Sequence, residues 1–308
     1  MQRAGDILQR GFPELLVSKH RLGQAESVKM VRMKRETRCQ TLGYASRPFV
    51  LCGLPVKRPP VGTLIHERRN GRFLLQVTGH PNYGLPWGQD RLVPIFLATL
   101  ATRQQSATVK FPSAAEMLDT FGIGQGGTQY RRLVAAFERI FGATIFFGTD
   151  SQAETAAVFQ QVRFSFMSEA RLWYWRNGDQ QALPEVGENV VVLSPEFYQE
   201  ITTHPIPTDL QAARALSGSP AALDLYNWLS YRCHLAKGEE RMPIFGPFGL
   251  TAQLGMAEYA RPRKFRERLE QWLELVNLMW PECPARISGD GKWLVFMPAS
   301  AILGRMYI

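Results

Sequence analysis

Ala260–Trp272 reads ARPRKFRERLEQW. Arg261, Arg263, Lys264, Arg266 and Arg268 stand around the first two turns of a helix, with Glu267 as the only acid among them. Pro262 suits the first helical position, where the missing N–H has no intrahelical partner to lose. Phe265, Leu269, Trp272, Leu273, Val276 and Met279/Trp280 then form one apolar stripe at helical spacing. The macrodipole makes a helix N-terminus positive, and each exposed cation there costs roughly 0.3–1 kcal/mol. The acids Glu270 and Glu274 come later, so charge runs against the helix's own preference. A phosphate or base edge at that end reverses the sign, and helix-turn-helix proteins contact bases with the N-terminal part of the recognition helix.

Arg263 and Arg266 are expected to project away from the stripe and into a groove, where a bidentate guanidinium reads guanine. Lys264 and Arg268 flank the stripe and fit phosphates. The flanking segments support this reading. SPAALDLYNWLSYRCHL predicts a long helix with Pro220 at its first position, preceded by IPTDLQAARAL as another helix. A short helix over about 247–254 stops at Gly255. After the basic helix, ARIS, a Gly289-Asp290-Gly291 turn and KWLVFMP predict a hairpin that places Lys292 near a phosphate. Helix, short helix, basic helix, hairpin is the layout of a helix-turn-helix with a wing.

The same order occurs earlier in the chain. RFLLQVTG predicts a strand, and Gln89 to about Gln105 a helix with Pro94 near its first turn. Ser113 and Glu116 suggest a capping box on a short helix that ends at Gly122. An amphipathic helix follows over about 128–141, capped by Thr128, with Tyr130, Leu133, Val134, Phe137, Ile140 and Phe141 as its stripe. Gln125, Thr128, Gln129, Arg131 and Arg132 cluster at its start as DNA-contact candidates. ATIFFGTD and VFQQVRFSF predict the first wing. LWYW (172–175) and VVVL (190–193) predict further strands. The expected fold is therefore α+β: two tandem winged-helix domains, 49–205 and 206–308, preceded by a flexible basic arm over 1–48. GLPVKRPP (53–60) is expected to be a linker.

The net charge of +9 favours a polyanionic partner. Residues 1–72 hold 15 basic and 5 acidic residues, so the excess lies in the arm. The four cysteines form no C-x-x-C pair, and neither zinc nor a disulfide framework is expected. No apolar run is long enough for a membrane span, so a cytoplasmic protein without membrane association is expected. Gly122, Gly124 and Gly127 satisfy G-x-G-x-x-G, but a helix precedes them where a dinucleotide site needs a strand. No catalytic constellation stands out. The reading is a non-enzyme with no metal and no cofactor.

GRFLLQVTG, GLPWGQDRLVPIFLATLATR, RRLVAAFERIFGATI, LSPEFYQEITTHPIPTDLQAARAL and SGSPAALDLYNWLSYR resemble the RepA-type initiators of plasmid replication, over about 49–298. The resemblance implies binding to repeated double-stranded sequences (iterons) at a plasmid origin, duplex opening, copy control, and contacts with the host replicative helicase and initiator. A homodimer is an open alternative, as is a winged-helix transcriptional regulator with no part in initiation. The family's turn before the first recognition helix often carries a basic residue. Here 122–129 carries none, which makes the second unit the stronger candidate for base reading.

Overall fold

The computed structural model describes residues 19–70, 73–153, 156–172, 188–246, 248–254 and 261–303. The expected strand at Trp173–Trp175 and the expected stop at Gly255 lie outside them.

Residues 19–36 of the expected flexible arm form helix α1 (Lys19–Glu36). Arg35 is 3% exposed. It donates to the Glu282 carboxylate at 2.7 Å and to the carbonyls of Ser300 and Ala301, and its guanidinium lies 5.8 Å from the Trp280 ring centroid. A buried guanidinium is tolerable only when its donors are met in this way. Arg32 adds a bond to the Leu278 carbonyl. The charges of Arg32 and Arg35 are thus used inside the protein.

Strand β1 (Leu42–Ala45) pairs antiparallel with β9 (Ile206–Asp209). This corrects the single helix expected over IPTDLQAARAL. Asp209 ends the strand and caps helix α7 (Leu210–Leu216), accepting from the Gln211 amide at 2.8 Å. Gly43 lies so close to Leu210 that a Cβ would overlap that side chain, so β1 reaches α7 only as glycine.

Helix α2 (Arg47–Leu51) leads to the edge strand β2 (Ile65–Asn70), which the charged run IHERRN concealed. A four-stranded antiparallel sheet runs β2-β3-β5-β6, with β3 (Phe73–Thr78) inside and β5 (Thr144–Ala153) and β6 (Ala156–Ser165) forming the expected hairpin. A 3₁₀ turn (Gly88–Arg91) opens helix α3 (Leu92–Gln104), whose residues Leu92–Ala101 are all buried. A helix apolar on every side belongs in a core. Next come β4 (Thr108–Phe111), α4 (Ala114–Thr120) and α5 (Gly127–Phe141). Strand β4 joins β8 (Asn189–Leu193) and β7 (Met167–Arg171) in a separate sheet, and α6 (Pro195–Thr203) follows.

The C-terminal unit is α8 (Pro220–Leu235), β10 (Glu240–Pro243), α9 (Leu250–Gln253), α10 (Pro262–Met279), β11 (Arg286–Ile287) and β12 (Trp293–Phe296). Its sheet order is β10-β12-β11, so the hairpin closes back on the strand between the first two helices. Trp228 of α8 stacks edge-on against Phe296 at 5.6 Å and donates to Gln253.

The two units meet at Arg91, which is 4% exposed. It pairs with the buried Asp224 of α8 and donates to the carbonyls of Leu54 (3.1 Å), Pro55 (2.9 Å) and Gly88 (2.6 Å). The neighbouring Asp90 takes both oxygens to Arg139 of α5, at 2.6 and 2.9 Å. The expected linker is therefore interior in its first part: Gly53, Leu54 and Pro55 are buried, and Lys57 and Arg58 are exposed.

Two stability predictions follow from these buried groups. Arg91→Ala leaves Asp224 buried and unpaired, which should lower the unfolding free energy by about 3–5 kcal/mol, read as a fall in the urea midpoint. His66 is buried with Nε2 3.0 Å from the Gly53 carbonyl, and burial, with Arg68 nearby, lowers its pKa to about 4. The folded protein holds it neutral, so its contribution is complete above about pH 6.5 and is lost as pH falls towards 4. Between pH 7 and 5 this amounts to about 2 kcal/mol. The His66→Gln variant, which can still donate to Gly53, should show that much less acid destabilisation; equal losses in both proteins would refute the assignment.

Candidate nucleic-acid interface

Pro262 occupies the first turn of α10, after an extended Arg261 that supplies no side-chain cap. No acid lies in that turn. Phe265, Leu269, Trp272, Leu273, Val276 and Met279 are buried as the periodicity predicts, and Phe265 packs edge-on against Phe245 at 5.7 Å. Burial of that stripe turns the remaining face outward, where Arg261, Arg263, Lys264 and Arg268 are exposed. Arg263 pairs with Glu267 at 3.1 Å, one turn on, and both are open to solvent. Such a pair is worth about 0.3–0.5 kcal/mol, too little to hold the guanidinium from a phosphate or base. Arg268 donates to Gln271 at 2.8 Å.

Arg266 is placed differently from expectation. It is half-buried and lies along the hairpin turn. A Cβ on Gly291 would sit 3.0 Å from its Cδ, Nε and Cζ. Gly291 itself has φ +66, a backbone state that glycine adopts without strain. The Nε of Arg266 is buried with no hydrogen-bond partner. Arg266 therefore braces the hairpin against the helix, whereas Arg263 stands clear of the protein. Lys292, next to Gly291, is exposed at the hairpin turn, and Asp290 fixes its amide at 3.1 Å. Trp293 beside it is 36% exposed. The pattern of KWLVFMP marks Trp293 only as strand, since exposure of one face of a hairpin depends on tertiary packing.

The first unit presents a similar but weaker face. Helix α5 begins at Gly127, so Thr128 lies inside it and the cap position belongs to Gly126. The hydroxyl of Thr128 instead accepts from Arg131. Ser113 precedes α4 without a side-chain cap, and the expected capping box is not formed. Glu116 turns inward instead, and burial raises its pKa. The stripe buries Leu133, Ala136, Phe137 and Ile140, but Phe141 is 42% exposed. Arg131 and Arg132 are exposed, Gln129 is half-buried, and Gln125 is held by Asp119 at 2.6 Å. Gln129, Arg131 and Arg132 line a cleft of about 940 Å³, faced by Arg58 and Trp87. Arg58 had been assigned to a linker, since nothing in GLPVKRPP reveals that the segment folds back beside α5.

Among the described residues, no group of three or more His, Cys, Asp or Glu side chains could hold a metal ion, and no helix is long and apolar enough to cross a membrane.

Residues 118–244 match the family described as plasmid encoded RepA protein. The match extends over this stretch of the chain. It begins near the end of α4 and runs through α5, the first hairpin and α8 to the end of β10. Of the resemblance read from the sequence over about 49–298, residues 118–244 are matched. No curated protein sequence matches the chain. Among solved structures, domains 2–3 of RctB superpose with a TM-score of 0.51 at 13% identity, covering 80% of this chain and 95% of that one. A selenomethionine form of the same two domains gives 0.50 at 14% identity, covering 82% and 99%. At that identity the likeness concerns the fold: mixed α+β, with small antiparallel sheets.

Arg263→Ala should weaken binding to a specific duplex by about 1–3 kcal/mol and relax one base preference. Lys264→Ala should weaken all duplexes alike and reduce the log–log salt slope by about 0.9. Titrations at several salt concentrations on matched and scrambled duplexes separate the two. Equal losses on every sequence would make Arg263 a phosphate contact.

Proposed function

We propose that the protein is a plasmid replication initiator that binds repeated double-stranded sequences at a plasmid origin through two tandem winged helices. The first is α3–β4–α4–α5 with the β5–β6 hairpin, within 49–205. The second is α8–β10–α9–α10 with the β11–β12 hairpin, within 206–308. In each, the last helix is the recognition helix and the hairpin is the wing. The observation that carries the reading is the start of α10: exposed Arg261, Arg263 and Lys264, no acid in the first turn, and Lys292 on the adjoining hairpin. That end of the helix is electrostatically incomplete without an anion. The similarity of 118–244 to the plasmid encoded RepA family supports a setting on plasmid DNA.

In this reading the second unit reads bases and the first adds phosphate contacts through Arg131 and Arg132. The protein catalyses no reaction. Duplex opening comes from binding free energy and from the recruitment of host replication proteins, and the protein works in the cytoplasm on plasmid DNA.

Footprinting of the full chain on its own replicon tests this. Protection should fall on iterated repeats, with specific affinity at least about 10³-fold above random duplex. Equal affinity for random duplex would end the proposal. Specific protection combined with unchanged plasmid copy number after deletion of the gene would make the protein a transcriptional regulator instead.

A further inference from the structure

We infer that the cleft beside α5 is a docking groove for an acidic peptide: a short extended segment of a partner protein, with carboxylates flanking bulky apolar side chains. The inference stands apart from DNA binding and rests on the cleft alone.

The shape of the cleft is built in. Thr128, Arg132, Ala135 and Arg139 recur every three or four residues, so they share one face of α5, and that face forms one wall. The segment from Val56 to Leu64 forms the other. It is held at both ends, by the Gly88 amide on the Pro55 carbonyl at 2.9 Å and the Gly79 amide on the Leu64 carbonyl at 2.8 Å. Between them the Thr63 amide donates to the Pro60 carbonyl at 3.1 Å, and Pro59 and Pro60 have φ fixed by their rings. A preformed groove loses no affinity to its own ordering. Its volume of about 940 Å³ suits a few side chains of an extended chain.

Charge selects the occupant. Arg58, Arg131 and Arg132 are exposed on the lining. The only acid on it among the described residues is Asp90, which is buried and holds Arg139 through both carboxylate oxygens. The cleft thus offers three guanidinium forks, which match carboxylates, and no open carboxylate of its own. A single nucleic-acid strand also brings anions, but its binding depends on bases stacking on aromatic faces. Here the Arg139 guanidinium lies 5.8 Å from the Trp87 ring centroid, and Tyr83 stacks on His80 at 4.7 Å, so each ring has a face engaged. Leu118, Ile123 and Leu133 make much of the remaining lining aliphatic, which takes apolar side chains and not bases. A peptide uses both parts of the surface. It also draws on Arg131 and Arg132, so a docked peptide excludes the phosphate contacts proposed for them.

The experiment selects random twelve-residue displayed peptides on the full-length protein, then measures the affinity of the most enriched peptide by fluorescence anisotropy. The expected motif carries at least two Asp or Glu residues around one or two bulky apolar ones. Arg58→Glu should weaken that peptide at least about tenfold. Lys237→Glu makes the same charge change at an exposed site that does not line the cleft, and should alter affinity less than about twofold. No enrichment, a motif without acids, or equal losses in the two variants overturns the inference. So does a twelve-nucleotide oligothymidylate that binds more tightly than the peptide and loses affinity in Arg58→Glu, which would make the cleft a single-strand site. Self-association of the protein that Arg58→Glu abolishes would make the cleft a seam between two copies, and overturns the inference as well.

Discussion

A buried guanidinium imposes a condition on everything around it. Arg91 has to satisfy its donors without water, and the acceptors come from three places in the chain: the segment at Leu54–Pro55, its own 3₁₀ turn at Gly88, and Asp224 on α8. None of these can move independently of the others. One apolar core runs through both units, but burial of oily surface is non-directional and tolerates sliding. The charged staple supplies direction. It also explains why a proline-rich stretch with the composition of a flexible connector is partly interior.

The surface built on this frame divides its cations into two groups. Arg35, Arg91 and Arg139 face carboxylates and carbonyls within the protein and act as structural pins. Arg261, Arg263, Lys264 and Lys292 face solvent at or beside the start of α10. Net charge does not distinguish these groups. The basic N-terminal segment contributes much of the excess, yet its helix lies against α7 and the C-terminal half of α10. Cations counted there as available to a polyanion are in part already neutralised.

The amphipathic stripe of α10, the hairpin after it, the proline starts at Pro220 and Pro262, and the left-handed exit at Gly122 were all legible in the sequence, because each rests on local periodicity or a local backbone requirement. Three features were not. Strand β2 carries charge because it is an edge, and edge protection disguises a strand as a loop. Asp209 ends a strand and starts a helix within one dipeptide, and the strand exists only because β1 lies beside it, more than 160 positions earlier in the chain. Arg266 sits on the same polar face as Arg263, and only the approach of the Gly291 turn sets the two apart. The last two involve a partner distant in sequence, whereas the unformed capping box at Ser113 and the cap expected at Thr128 are local misreadings.

The anchoring of α1 has a consequence for how the protein is made. Arg35 is synthesised 247 residues before Glu282 and 266 before Ala301, two of its acceptors. At bacterial elongation rates of about 5–20 residues per second, the helix waits roughly 10–50 s for the groups that complete it. Until α7 is made, the helix's buried face, including Val31, has no docking site. A chain cut short near its C-terminus would therefore lose the anchor of its first helix as well as its tail.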